Sequence, residues 1–240
     1  MTKLDILVFG AHPDDAELGA GGTIAAHIAQ GKKVGMIDLT QGELGSRGTP
    51  QTRKTEAAAA SEILGITVRE NLGLLDGFFE NNPSSQLILI QAIRKYQPEI
   101  VLANAPIDRH IDHGRGAALA KDACFLSGLA KISTQDEEGR EQTHWRPKSL
   151  YHYIQDYHLT PSLVVDVSEF WNKKMDSIKA YSTQFYTPDQ EGPQTPISSP
   201  DFLHFLDARG REMGRMIGVE FGEGFIKATP IGTDDLFKLM

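Results

Sequence analysis

Residues 5–10 (DILVFG) form a short apolar run, the pattern of a strand buried on both faces. From 17 to 30 (ELGAGGTIAAHIAQ) the pattern becomes helical, and Gly31 supplies a stop. The alternation then repeats. Residues 33–39 (KVGMIDL) predict a second strand, 41–51 a polar glycine-rich loop and 52–64 a helix ended by Gly65. A weaker strand follows at 68–73, then a helix at 85–96 that stops before Pro98. EIVLANA at 99–105 predicts another buried strand, followed by a loop and a helix at about 114–127. Strands separated by helices imply βαβ units, a parallel sheet and right-handed crossovers.

The fold class expected is α/β: a Rossmann-like three-layer domain with a mostly parallel sheet over 1–130, and a C-terminal extension over 145–240 carrying extra strands and helices. The whole chain, 1–240, is expected to be one domain. In the extension, 149–155 (SLYHYIQ) and 162–168 (SLVVDVS) can pair with each other or extend the sheet. Residues 169–182 predict a helix, 201–217 a last helix and 219–228 a last strand. Residues 133–144 are polar and predict a solvated loop. Residues 187–200 (TPDQEGPQTPISSP) hold four prolines and predict a loop, of a length often used as a lid or an oligomer contact.

Composition narrows the function classes. The chain has 240 residues, 40% hydrophobic and 23% charged, as expected for a soluble globular protein. A net charge of −8 argues against nucleic acid or an anionic membrane as a general partner, although local arginines can still serve an anionic small molecule. The single cysteine, Cys124, rules out an intramolecular disulfide and fits a reducing cytoplasm; its apolar helical surroundings read as burial. No apolar stretch matches a signal peptide or a membrane span, so a cytoplasmic location is expected.

Directly after the first strand comes GAHPDDAELGAGG, where a nucleotide-binding fold would place its phosphate loop. The pattern G-x-G-x-x-G fails here, and Asp14 and Asp15 would repel a pyrophosphate. Asp38, at the end of the second strand, then reads as a site-edge or capping residue rather than a ribose ligand. A cation suits the acidic strand end. His12 precedes a proline, which favours an extended backbone, and Pro13 can open a helix with the two acids in or beside its first turn. Those acids could instead simply cap the helix. After the strand at 99–105, NAPIDRHIDHGRG gathers His110, Asp112 and His113; alone it could be a polar turn with Asp112 as the cap. Two such clusters at the carboxyl ends of parallel strands can converge on one rim. Two histidines and a carboxylate would make a three-ligand zinc site with a fourth position open for water.

H-P-D-D at 12–15 followed by E-L-G-A-G-G, H-x-D-H at 110–113 and a late E-G-F at 223–225 resemble the LmbE/PIG-L family of zinc N-acetylglucosamine deacetylases. Within it the chain is most similar to the bacillithiol-biosynthesis deacetylases, which act on N-acetylglucosaminyl-malate; QGELGSRGT at 41–49, GVEFGEGF at 218–225 and chain length carry that narrower likeness. The resemblance implies one zinc ion per chain held by His12, Asp15 and His113, with Asp14 as general base. It also implies a small amino sugar conjugate as substrate, and that assembly into homo-oligomers is common. His110 is the candidate cationic stabiliser of the oxyanion. Asp112 would orient His110 or a ligand histidine, or only cap the helix. Arg53 and Arg109 are the candidate substrate-binding cations, since guanidinium matches carboxylate. Two other classes remain at this stage: a different zinc hydrolase, such as a phosphoesterase or a non-sugar amidohydrolase, and a non-catalytic sugar-binding module. A phosphoesterase would favour a metal pair, and ligands for one ion are found. A binder would not need Asp14.

Overall fold

The computed structural model describes residues 2–188 and 192–239. Among these residues seven strands join in one sheet. They are β1 (Ile6–Gly10), β2 (Val34–Thr40), β3 (Val68–Leu74), β4 (Ile100–Ala103), β5 (Ser149–Tyr153), β6 (Leu163–Asp166) and β7 (Gly222–Ile226), in the order β3-β2-β1-β4-β5-β7-β6. Neighbours from β3 through β5 are parallel, and β7 is antiparallel to both β5 and β6. The α/β, mostly parallel expectation is therefore met.

Among the described residues six α-helices cover the sheet: α1 (Asp15–Ala29), α2 (Pro50–Leu64), α3 (Pro83–Tyr96), α4 (Ile111–Leu126), α5 (Trp171–Lys179) and α6 (Pro200–Ile217). The apolar run of β1 is buried because both faces are covered. Leu7 and Phe9 point into a core shared with α3 and α4, while Ile6 and Val8 point into one shared with α1. A third cluster joins α2, α5 and α6 through Ala60, Ile178 and Leu206. Gly19, Gly21 and Gly22 do not break α1, because close packing uses them. A Cβ on Gly19 would lie 2.1 Å from the Tyr153 ring, and one on Gly22 would lie 2.7 Å from Val167.

Several boundaries differ from the sequence expectation. α1 and α4 start two to three residues earlier than the apolar periodicity suggests, at Asp15 and Ile111. The added residues are Asp15 and Ala16 in α1 and Ile111, Asp112 and His113 in α4, and with Ile111 exposed they carry no apolar period. The 149–155 and 162–168 segments do not pair with each other; β7 lies between them. The 169–182 segment is a 3-10 turn, Ser168–Phe170, followed by the shorter α5. No helix or strand occupies 187–188 or 192–199, as a proline-rich loop predicts; 189–191 lie outside the described residues. Among described residues, no helix is long and apolar enough to cross a membrane.

The element order creates the site. β1 and β4 are neighbours, yet α1 and α4, which follow them, pack on opposite faces. Their carboxyl ends thus open a crevice at the switch point, where ligands of open α/β sheets bind.

Candidate metal and catalytic site

The crevice unites the two motifs: His12, Asp14, Asp15, His110 and His113 line one cavity. Asp15 is the link. One of its oxygens lies 3.0 Å from His113 Nε2, and the other lies 3.5 Å from His12 Nδ1. Its remaining partners come from the sheet: Asn104 at the end of β4 and Gln155 beyond β5 each donate to it at 2.9 Å, as does the His12 backbone N–H. Capping of α1 therefore does not explain Asp15.

Each histidine presents its other nitrogen to a second acid. His12 Nε2 lies 3.0 Å from Asp76 and 3.4 Å from Asp112, and His113 Nδ1 lies 2.5 Å from Asp108. An imidazole that gives one N–H to a carboxylate is fixed in tautomer and orientation, which leaves its second nitrogen for a cation. The two second nitrogens, His12 Nδ1 and His113 Nε2, both face Asp15. Among the described residues two groupings of possible ligand atoms meet within 4.8 Å, His12–His110–His113 and His12–Asp76–Asp112. Asp15 lies against both His12 and His113, and Asp76 and Asp112 lie against the nitrogen of His12 turned away from Asp15.

The acids shift the titration of both histidines. Burial works against a charge on His12, but hydrogen bonds to Asp112, Asp15 and Asp76 outweigh it and hold its pKa well above the ordinary histidine value. Burial likewise opposes charge on His113, and Asp15 and Asp108 still lift it to about 9. Burial would raise Asp15, but His113 and His12 bring it well below the usual carboxylate range. The acids around them thus favour the protonated form of both histidines.

Asp14 stands apart from this cluster. Its backbone takes φ 119°, a left-handed value rare for a residue with a side chain, and its carboxylate caps no helix N–H. Arg53 binds it instead, with Nη2 3.0 Å from the carboxylate and also bonded to the Pro13 carbonyl, while Nη1 donates to Gln184 at 2.9 Å. Burial drives the Asp14 pKa up, Arg53 opposes the rise and Asp15 adds to it; the outcome is about 7.

His110 occupies the cap position of α4, where its Nδ1 accepts from the Asp112 N–H at 3.3 Å. Asp112 is therefore not the cap; its carboxylate accepts from Gly77 N–H at 2.7 Å and faces His12. Burial and the neighbouring His12 and His113 depress the His110 pKa, which favours a neutral ring over the cation expected from the sequence. Arg53, expected to meet substrate, is buried against Asp14. Arg109 lines the cavity but pairs with Asp156 at 3.3 Å. Asp38 is neither site edge nor cap: it holds Arg69 through two bonds of 2.8 and 2.9 Å.

Sequence reasoning missed Asp76, Asp108, Asn104, Gln155 and Gln184. Asp108 sits inside the second motif and could have been flagged. Asn104 opens the same motif, whereas Asp76, Gln155 and Gln184 reach their partners from segments remote in sequence, and no local pattern marks them.

Comparison with known proteins bears on the family and the fold. Residues 7–124, which include both motifs, match the family model "PIG-L: GlcNAc-PI de-N-acetylase". The solved structure of the conserved protein TT1542 from Thermus thermophilus superposes with a TM-score of 0.85 at 37% identity, covering 96% of this chain and 97% of that one. The diacetylchitobiose deacetylase of Thermococcus kodakarensis is 26% identical over 75% of this chain and 70% of its own. A probable N-acetyl-α-D-glucosaminyl L-malate deacetylase 2 from Bacillus anthracis is 26% identical over 76% and 82%. A relative of different chemistry, the 4-oxalmesaconate hydratase of Pseudomonas putida, is 27% identical over 74% and 73%. With both motifs inside the family match and the fold shared along nearly the whole chain, this protein belongs to the PIG-L deacetylase family.

Proposed function

We propose that this protein hydrolyses the N-acetyl group of an N-acetylglucosaminyl conjugate in the cytoplasm, and that the conjugate is N-acetylglucosaminyl-malate, as in bacillithiol biosynthesis. The observation that carries the reading is Asp14: a buried carboxylate with a pKa near 7, beside a cation-binding cluster but outside it. His12, Asp15 and His113 would hold one zinc ion. Such an ion would act as a Lewis acid toward the amide carbonyl and lower the pKa of a water to about 7. Asp14 accepts a proton from the attacking water and returns it to the leaving amine; a pKa near the working pH suits both transfers. Arg53 keeps Asp14 in place through each. With its Nδ1 occupied, neutral His110 has Nε2–H left to donate to the oxyanion. Asp76, Asp112 and Asp108 fix the rings of His12 and His113. The malate assignment rests on sequence features and on the likeness to the B. anthracis protein.

Mass spectrometry of the purified, zinc-loaded protein with a panel of N-acetylglucosaminyl conjugates tests the reading. Loss of an acetyl group with release of acetate, greatest for the malate conjugate, is expected. Loss of no acetyl from any conjugate would overturn it. A second reading, a zinc hydrolase acting on another N-acyl sugar or acyl amide, draws on the exposed Leu44, Phe78 and Ile111 at the cavity mouth, which suit an apolar substrate body. Preference for a lipophilic acyl amide in the same panel would favour it.

A further inference from the structure

A second cavity lies beyond His113 and shares Leu18, Arg109, His113 and Ile197 with the one described above. Its wall is largely α6, through Phe202, Phe205, Leu206 and Met213. Three cations reach it. Lys174 is engaged by Glu223 at 2.5 Å and by the Leu18 carbonyl at 2.8 Å, and Arg109 is paired with Asp156. Arg209 is less fully engaged. Its guanidinium lies over the Phe205 ring, 4.7 Å from the centroid, and Nη2 donates to the Asp156 carbonyl at 2.6 Å. Nη1 is buried and has no hydrogen-bond partner among the described residues.

The acids around Arg209 are Asp156, Asp108 and Glu212. The Asp156 carboxylate holds Arg109. Asp108 holds His113 and accepts from the backbone N–H groups of Asp156 and Tyr157, and Glu212 faces His158. None bonds to Nη1. A buried charged donor left unpaired is costly and rarely persists without a ligand to complete it. Guanidinium is matched in geometry by a carboxylate, and the apolar wall beside it suits a carbon skeleton.

We propose that Arg209 anchors a carboxylate on the aglycone of the substrate, in a compartment separated from the reacting amide by His113. The inference rests on the deacetylase reading and adds a specificity residue to it. Neither arginine expected from the sequence is the anchor: Arg53 serves Asp14, and Arg109 serves Asp156.

The test compares N-acetylglucosaminyl-malate with its dimethyl ester, which keeps the skeleton and removes the charges. Arg209→Met should lower kcat/KM for the acid by roughly 10–100-fold, the worth of a charged hydrogen bond. Most of that loss should be in KM, with at least tenfold less effect on the ester and partial recovery in Arg209→Lys. Equal losses on acid and ester would assign Arg209 a structural role and overturn the proposal. Calorimetric titration with the amine product, glucosaminyl-malate, needs no turnover and should show the same dependence on Arg209. If that binding holds while no glycoside loses its acetyl group, the deacetylase reading fails and the carboxylate site stands. Turnover of the acid that is indifferent to Arg209 overturns the carboxylate site alone.

Discussion

Replacing Glu223 by Gln should destabilise this protein far more than a change of one atom suggests. The Glu223 carboxylate is 4% exposed and accepts from Lys174 Nζ at 2.5 Å, Thr23 N–H at 2.7 Å and Gly22 N–H at 2.9 Å. Gly22 and Thr23 lie in the middle of α1, about two turns beyond Asp15. The pair therefore ties α5 and β7 to the helix that starts in the site. An amide in place of the carboxylate offers one acceptor oxygen and turns N–H groups toward other donors. Lys174 is equally buried and would keep only the Leu18 carbonyl. Breaking a buried ion pair by removing one partner typically costs about 3–5 kcal/mol. With a urea m-value of ~3 kcal/mol/M, the unfolding midpoint should fall by about 1–1.7 M. Lys174→Met should also destabilise, and the double variant should lose less than the sum of the two, since it leaves no unpaired charge. Urea titration followed by circular dichroism measures all three. A cost below about 1 kcal/mol for Glu223→Gln would refute the reasoning, because an unpaired buried ammonium cannot be that cheap.

Asp14→Asn should retain its metal, measured by atomic absorption, while kcat falls on the order of 10²–10⁴-fold, the usual worth of positioned acid–base catalysis. Asp15→Asn, like His12→Ala, should lose the metal instead; the reverse pattern would exchange the two aspartates' roles. Burial pushes the Cys124 thiol up to about 12, so it should resist a disulfide reagent at pH 8 until the protein unfolds, and rapid labelling of the native protein would contradict its buried place in α4.

The sheet was legible because strands buried on both faces leave continuous apolar runs, as residues 5–10 and 99–105 do. The pairing of β7 between β5 and β6 was not, since short strands in an extension carry no mark of their partners. Within the site, the residues at the carboxyl ends of β1 and β4 stood out as chemical motifs too polar for a buried crevice without a function. Their surroundings did not. Asp76 reaches His12 across 64 positions, Gln155 reaches Asp15 across 140, and Gln184 reaches Arg53 across 131. Arg53 shows the same limit from the other side: it lines the cavity, as its place after the site loop suggested, but its bond to Asp14 across 39 positions had no mark in the sequence.

The charge state of the metal-free cluster yields a last prediction. His113 is lifted to about 9 and His12 also lies above its ordinary value, so near pH 7.5 both are protonated in the folded protein and largely neutral in the unfolded chain. A raised pKa contributes stability that is fully present below about 6.5 and is lost as pH rises through the folded value. The metal-free protein should therefore become less stable between about pH 6.5 and 9, with His113 alone contributing on the order of 3 kcal/mol to the fall. A divalent cation needs the same histidines unprotonated, so its binding must expel those protons. Calorimetric zinc titrations at pH 7.5, in buffers of different ionisation enthalpy, should report the release of about two protons per ion. The metal-loaded protein should lack the pH slope, because its histidines are neutral in both halves of that window. A binding enthalpy that does not vary with buffer would mean that the imidazoles are neutral before the metal arrives, and that some other cation balances Asp15, Asp76, Asp108 and Asp112.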